Sequence, residues 1–146
     1  MVSAEESTLR LDGLGQSAGR ARRWVRAVLA DLGALSLLEA AELGLTELVT
    51  NACLHARTPV QVTARAVAGR IRFEVTDGSP ILPLPARRGA GATTGRGMYL
   101  VAACGAWGVV PEAGGVGKTV WFEPTEAIAE QAPVDAGWAA DIEELR

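Results

Sequence analysis

Residues 60–78 read Val60-Gln61-Val62-Thr63-Ala64-Arg65-Ala66-Val67-Ala68-Gly69-Arg70-Ile71-Arg72-Phe73-Glu74-Val75-Thr76-Asp77-Gly78. Apolar residues recur at every second position on both sides of Gly69: Val60, Val62, Ala64 and Ala66 before it, then Ile71, Phe73 and Val75 after it. A period of two belongs to strands, because successive side chains point to opposite faces. The stretch reads as an antiparallel hairpin with one buried face, turned at Gly69. Asp77-Gly78-Ser79-Pro80 breaks the second strand.

Upstream, the period is helical. Ala21, Trp24, Val25, Val28, Leu29 and Leu32 share one face of a helix over about 17–33, and Arg20, Arg22, Arg23 and Arg26 take the other. Gly33 is placed to cap its C-terminus. Ser36 and Glu39 match a capping box for a second helix, which runs to about Ala56 before Pro59 forbids continuation. Ser7 to Leu14 alternates weakly, as a short edge strand would. Downstream, Pro80 to Thr94 is too rich in Pro and Gly for regular structure and longer than an ordinary connection. Gly97 to Ala106 reads as an apolar helix. Trp107 to Val110 and Val116 to Phe122 read as strands around a Gly114-Gly115 turn. The order lacks βαβ alternation, which disfavours a doubly wound parallel sheet. It suits an α+β, two-layer sandwich, with helices on one face of a mixed, mainly antiparallel sheet.

At 146 residues the chain has the length of one domain. Its charge of −3 is uneven. Residues 124–146 carry six acids against Arg146, a net of −5, and the rest carries +2. The expected division is a domain over 1–123 and an acidic tail over 124–146, either disordered or a short helix. A mild negative charge disfavours a general nucleic-acid binder. No apolar run reaches the roughly 18 residues of a membrane span, and Met1 to Gly15 does not read as a signal peptide. Cys53 and Cys104 sit in apolar surroundings, as buried cysteines of a reducing, cytoplasmic compartment do. With His55 as the one histidine, no metal spacing emerges.

Three features could carry chemistry. Glu47, Asn51 and His55, at i, i+4 and i+8, form one polar stripe on the second helix. A solvated helix edge would look the same. Asp77-Gly78 puts a carboxylate at a strand end, where a ligand edge can donate to it; an ordinary Asp-Gly turn is the alternative. Gly95-Arg96-Gly97 opens a helix after a loop, where backbone N–H groups can meet an anion, or where the chain merely caps. Gly117-Lys118-Thr119 matches the end of a P-loop, but Glu112 stands where the first Gly belongs and a strand follows instead of a helix.

The order of these features resembles the GHKL superfamily of histidine-kinase-like ATPases, whose Bergerat fold is a two-layer sandwich. Glu47-Leu48-Val49-Thr50-Asn51-Ala52-Cys53-Leu54-His55-Ala56 resembles its N-box, Val75-Thr76-Asp77-Gly78 its G1 box, and Gly95-Arg96-Gly97-Met98 its G2 box. The Asn-Ala-x-x-His-Ala ending is most similar to stand-alone anti-sigma-factor serine kinases. The resemblance covers roughly residues 5–123. It implies ATP and Mg²⁺ as cofactors. Asn51 would be the metal ligand, which suits a cation that keeps water and phosphate oxygens around it. Asp77 would accept the adenine amine beside Gly78, and Thr119 would stand near the same end of the base. Gly95 and Gly97 would let the backbone approach the phosphates, Arg96 and Met98 would be nucleotide-binding beside them, His55 would stand at the pocket edge, and the loop from Pro80 to Thr94, with Arg87 and Arg88, would be the ATP lid. Glu47 would be catalytic, orienting or deprotonating the nucleophile.

The implied function is an ATP-dependent protein serine kinase in transcription regulation. It would act on an anti-sigma antagonist, sequester a sigma factor and form a homodimer, without direct contact to nucleic acid or membrane. A non-catalytic, nucleotide-gated binding module is the alternative; a degenerate domain that has lost nucleotide is a third reading. The Arg face of the first helix suits an acidic partner or simply solvent.

Overall fold

The hairpin forms where the alternation puts it. In the computed structural model β2 (Val60–Val67) and β3 (Arg70–Asp77) pair antiparallel, with Val62 opposite Val75 and Ala64 opposite Phe73. The two loop residues, Ala68 and Gly69, have φ of 55° and 79°. Positive φ at both central positions is the signature of a type I′ turn, whose twist matches that of the strands. The structure describes residues 5–13, 15–55, 58–80, 92–112, 114 and 116–128, with backbone alone for 55 and 92–97.

Three further strands complete the sheet: β1 (Glu5–Leu11), β4 (Gly105–Pro111) and β5 (Lys118–Pro124). Their spatial order is β1-β2-β3-β5-β4, and every pairing is antiparallel. The sheet is thus not mixed among the described residues. Strand β5 inserts between β3 and β4, which sets the start of β5 beside the end of β3.

Among the described residues three α-helices cover one face: α1 (Ser17–Asp31), α2 (Leu38–His55) and α3 (Ala92–Cys104). Gly33 ends α1 as expected, at φ 68°. The Ala34 N–H reaches Leu29 O at 2.8 Å and the Gly33 N–H reaches Ala30 O at 3.1 Å. This is a Schellman closure, which needs a left-handed residue after the helix. The capping box does not form. The second helix opens with a 3-10 turn over Leu35–Leu37, and Ser36 Oγ donates to Glu126 Oε1 at 3.1 Å instead. The tertiary partner outcompetes the local cap. The third helix begins at Ala92 rather than Gly97 and runs directly into β4 at Gly105. The extra turn forms despite Gly95, since propensity is only a weak prior for what the folded chain adopts.

Inward residues of all five strands meet the helices in one core, centred on the fully buried Phe73 and Phe122. The Trp24 ring of α1 meets Phe73 edge-on, with centroids 5.9 Å apart. At the crossing of α2 over β5, Gly44 leaves the space that the Phe122 ring fills; a Cβ there would stand 2.4 Å from Cζ. The opposite sheet face is polar. Arg65 bridges Glu6 and Glu74, while Arg70 and Arg72 share Glu123. The Arg72 guanidinium also lies 4.2 Å over the Trp121 ring. Burial pushes the Glu123 carboxyl up, but these two arginines outweigh it and hold it below its ordinary value.

Beyond β5, Thr125 donates from N and Oγ1 to Cys104 O at 2.9 and 3.1 Å, closing the end of α3. Ile128 packs on the core. The expected acidic tail from residue 129 onward lies outside the described residues, as do residues 81–91 of the expected lid with Arg87 and Arg88.

Candidate functional site

Asn51 of the α2 stripe meets another helix. Asn51 is only 8% exposed, and its Nδ2 donates to Met98 Sδ of α3 at 3.6 Å. One turn earlier, Glu47 is half-buried. Burial raises the Cys104 thiol, and the nearby charges of Glu39 and Glu47 help push it up to about 11; a hydrogen bond with the Gly44 backbone opposes them. Met98 and Cys104 both belong to α3, so Asn51 and Glu47 run along the α2–α3 seam rather than a solvated helix edge. Polar groups in such a seam need partners. A thioether is a weak acceptor. By taking the Asn51 amide nitrogen, it leaves the Oδ1 oxygen as the group that can hold a cation. His55 is the last residue of α2, and its side chain lies outside the described residues.

Asp77 closes β3 on the inward face, in line with Phe73 and Val75. Its partner across the ladder is Lys118, the first residue of β5. The Lys118 ammonium lies 2.9 Å from Asp77 Oδ1 and 2.9 Å from Oδ2, and donates to Ser79 O at 3.2 Å. Asp77 Oδ1 also accepts the Ser79 N–H at 2.8 Å, an Asx turn that ends the strand. Both side chains are deeply buried, 2% exposed for Asp77 and 6% for Lys118. An ammonium has three donors and a carboxylate about four acceptor positions. All three donors and three of the acceptor positions are therefore in use, and among the described residues one position on Oδ2 takes no hydrogen bond.

Thr119 does not stand beside Asp77. It pairs with Thr76 on the opposite sheet face, where its hydroxyl lies 2.8 Å from Thr76 Oγ1 and donates to Glu112 Oε1 at 2.9 Å. Strand alternation is the reason: Lys118, Val120 and Phe122 point inward, so Thr119 and Trp121 point out. Lys118 and Ser79 are the site residues that motif reading passed over. Counting back by twos from Phe122 and Val120 would have marked Lys118 as inward.

Gly78 donates its N–H to Thr58 Oγ1 at 2.9 Å, which ties the strand end to the segment after α2. Gly95, Arg96 and Gly97 lie inside α3 rather than ahead of it. A helix leaves its first four N–H groups without internal partners. With α3 starting at Ala92, these open amides lie around residues 92–94, and the Gly97 amide belongs to the helical ladder. The side chain of Arg96 lies outside the described residues. No hydrogen bond among the described residues joins Asn51 to Asp77, so the seam pair and the strand-end pair stand as two clusters. Nor do three or more His, Cys, Asp or Glu converge on a metal position among those residues.

The arrangement offers a buried carboxylate for an N–H of a flat ligand, a side-chain amide oxygen for a hard cation and open amides at a helix start for an anion. Among the described residues no helix is long and apolar enough to cross a membrane. No curated protein is matched by the chain. Residues 14–122, well over half of the sequence, match the family described as the histidine kinase-like ATPase domain. That span contains α2 with its polar stripe, the end of β3 and the start of β5. With its helices on one face of an antiparallel sheet and its N-, G1- and G2-like segments in order, the chain belongs to the histidine kinase-like ATPase family, the GHKL group of ATP-binding domains.

Proposed function

We propose that this ATPase-type domain is a regulatory protein serine kinase that uses ATP with Mg²⁺ and acts on an anti-sigma-factor antagonist, with a sigma factor as a further partner. The observation that carries the reading is the Asn51–Met98 contact at 3.6 Å, which orients the Asn51 amide one turn from Glu47. Asn51 Oδ1 would hold Mg²⁺, a cation that suits one neutral protein ligand alongside phosphate oxygens and water. The cation held there would neutralise charge on the phosphates. Asp77 accepts the base amine at Oδ2. Glu47 receives the proton of the attacking serine hydroxyl, and positioning supplies most of what phosphoryl transfer needs.

Incubation with γ-labelled ATP and candidate antagonist proteins tests this. Transfer to a serine is expected, and Glu47→Ala abolishes it while calorimetry shows ATP binding retained. ATP binding without transfer to any partner sinks the kinase reading in favour of a nucleotide-gated binding module. Transfer undiminished in Glu47→Ala removes that residue from the chemistry.

A further inference from the structure

A base-reading carboxylate works by accepting an N–H, yet Asp77 does not stand alone. The Lys118 ammonium touches both of its oxygens, and the β3–β5 ladder holds the two residues opposite each other. A ligand amine that reaches the remaining acceptor position on Oδ2 brings its neighbouring ring atom toward that ammonium. The third contact of Lys118, to Ser79 O, is its longest at 3.2 Å. Exchanging it for a ligand acceptor keeps three hydrogen bonds on the ammonium and gives up the longest of them, the one to Ser79 O. The pair also occupies inward positions at the end of rows otherwise built from Phe73, Val75, Val120 and Phe122. A buried ion pair seldom improves on apolar packing there, which points to a use in binding. Thr119, on the far face, cannot share that use.

We propose that Lys118 is a second base-reading residue of the nucleotide site. Asp77 accepts the exocyclic amine of adenine, and Lys118 donates to the adjacent ring nitrogen N1. The inference rests on the ATP site described above. Adenine presents a donor beside an acceptor, matching a carboxylate beside an ammonium. In the same placement guanine sets its carbonyl oxygen against Asp77 and its ring N–H against Lys118, two repulsive contacts, so the site selects ATP over GTP.

Calorimetry on the full chain with ATP, 1-deaza-ATP and 7-deaza-ATP tests the assignment. Removing N1 deletes a charge-assisted hydrogen bond, so 1-deaza-ATP binds about 10- to 100-fold more weakly than ATP, while 7-deaza-ATP matches ATP. In Lys118→Met the ratio of ATP to 1-deaza-ATP affinity falls to about one. The analogue comparison uses the unaltered protein, so it decides even where the variant fails to fold. Equal binding of ATP and 1-deaza-ATP overturns the proposal and leaves the ATP site standing. So does an equal loss with 7-deaza-ATP, or a ratio that persists in folded Lys118→Met. Absence of ATP binding to the unaltered chain removes the parent reading together with this one.

Discussion

Lys118 Nζ lies 2.9 Å from each carboxylate oxygen of Asp77, a residue 41 positions earlier in the chain. Deleting one partner of a buried ion pair leaves the other uncompensated, which costs about 3–5 kcal/mol. Lys118→Met is therefore expected to lower unfolding free energy by roughly that amount in urea titrations. The double variant Asp77→Asn with Lys118→Met recovers a large part of the loss, because neither buried charge remains. Additive effects of the two single changes would show that the pair is not coupled.

Asp77→Asn alone is expected to weaken ATP binding about 10-fold or more, because the amide presents a donor where an acceptor is needed. Unchanged affinity by calorimetry would remove Asp77 from the base site.

Gly44→Ala is expected to destabilise the domain. The added Cβ would meet the Phe122 ring at 2.4 to 3.1 Å, and that ring is fully enclosed by the core. Overpacking of this kind costs about 1–3 kcal/mol. A melting temperature equal to that of the unaltered chain would contradict the close approach of α2 and β5.

Ala68→Asn is expected to stabilise. Ala68 holds φ at 55°, in the left-handed region where an ordinary side chain is strained and Asn is tolerated. A gain of about 0.5–1 kcal/mol in thermal or chemical unfolding would fit the type I′ turn. A loss would mean that the loop adopts another turn.

The Cys104 thiol, raised by burial and by Glu39 and Glu47 to about 11, stays protonated at pH 8. Its alkylation by iodoacetamide should be slow in the folded protein and rapid after denaturation. The folded value lies above the ordinary cysteine value of 9.0. The unfolded chain therefore loses this proton first, and the contribution to stability, complete below about pH 9, declines as pH rises toward 11. A denaturation midpoint flat across that window in wild type, or equally steep in Cys104→Ala, would refute the assignment.

Much of the fold was legible because its signals are local. The period of two around Gly69, the apolar stripe from Ala21 to Leu29 and the left-handed Gly33 each act over a few residues, and each reappears in the structure. Ser36 was misleading because Glu126, distant in sequence, offers its hydroxyl a better partner than the capping box. The start of α3 was misplaced because residues 92–96 have a weak helix preference, and propensity alone does not decide where a helix begins in the folded chain.

The candidate site divides along the same line. Sequence alone determined the Glu47-Asn51 spacing on one helix and the carboxylate at the end of β3, since helical and strand periods operate along the chain. Only the tertiary structure decided what each group faces. Insertion of β5 between β3 and β4 turned Asp77 from a lone carboxylate into half of an ion pair, and a single step of strand register chose Lys118 over Thr119 as its partner. Neighbouring positions on a strand point to opposite faces, so that choice belongs to the pairing of strands and not to the order of residues.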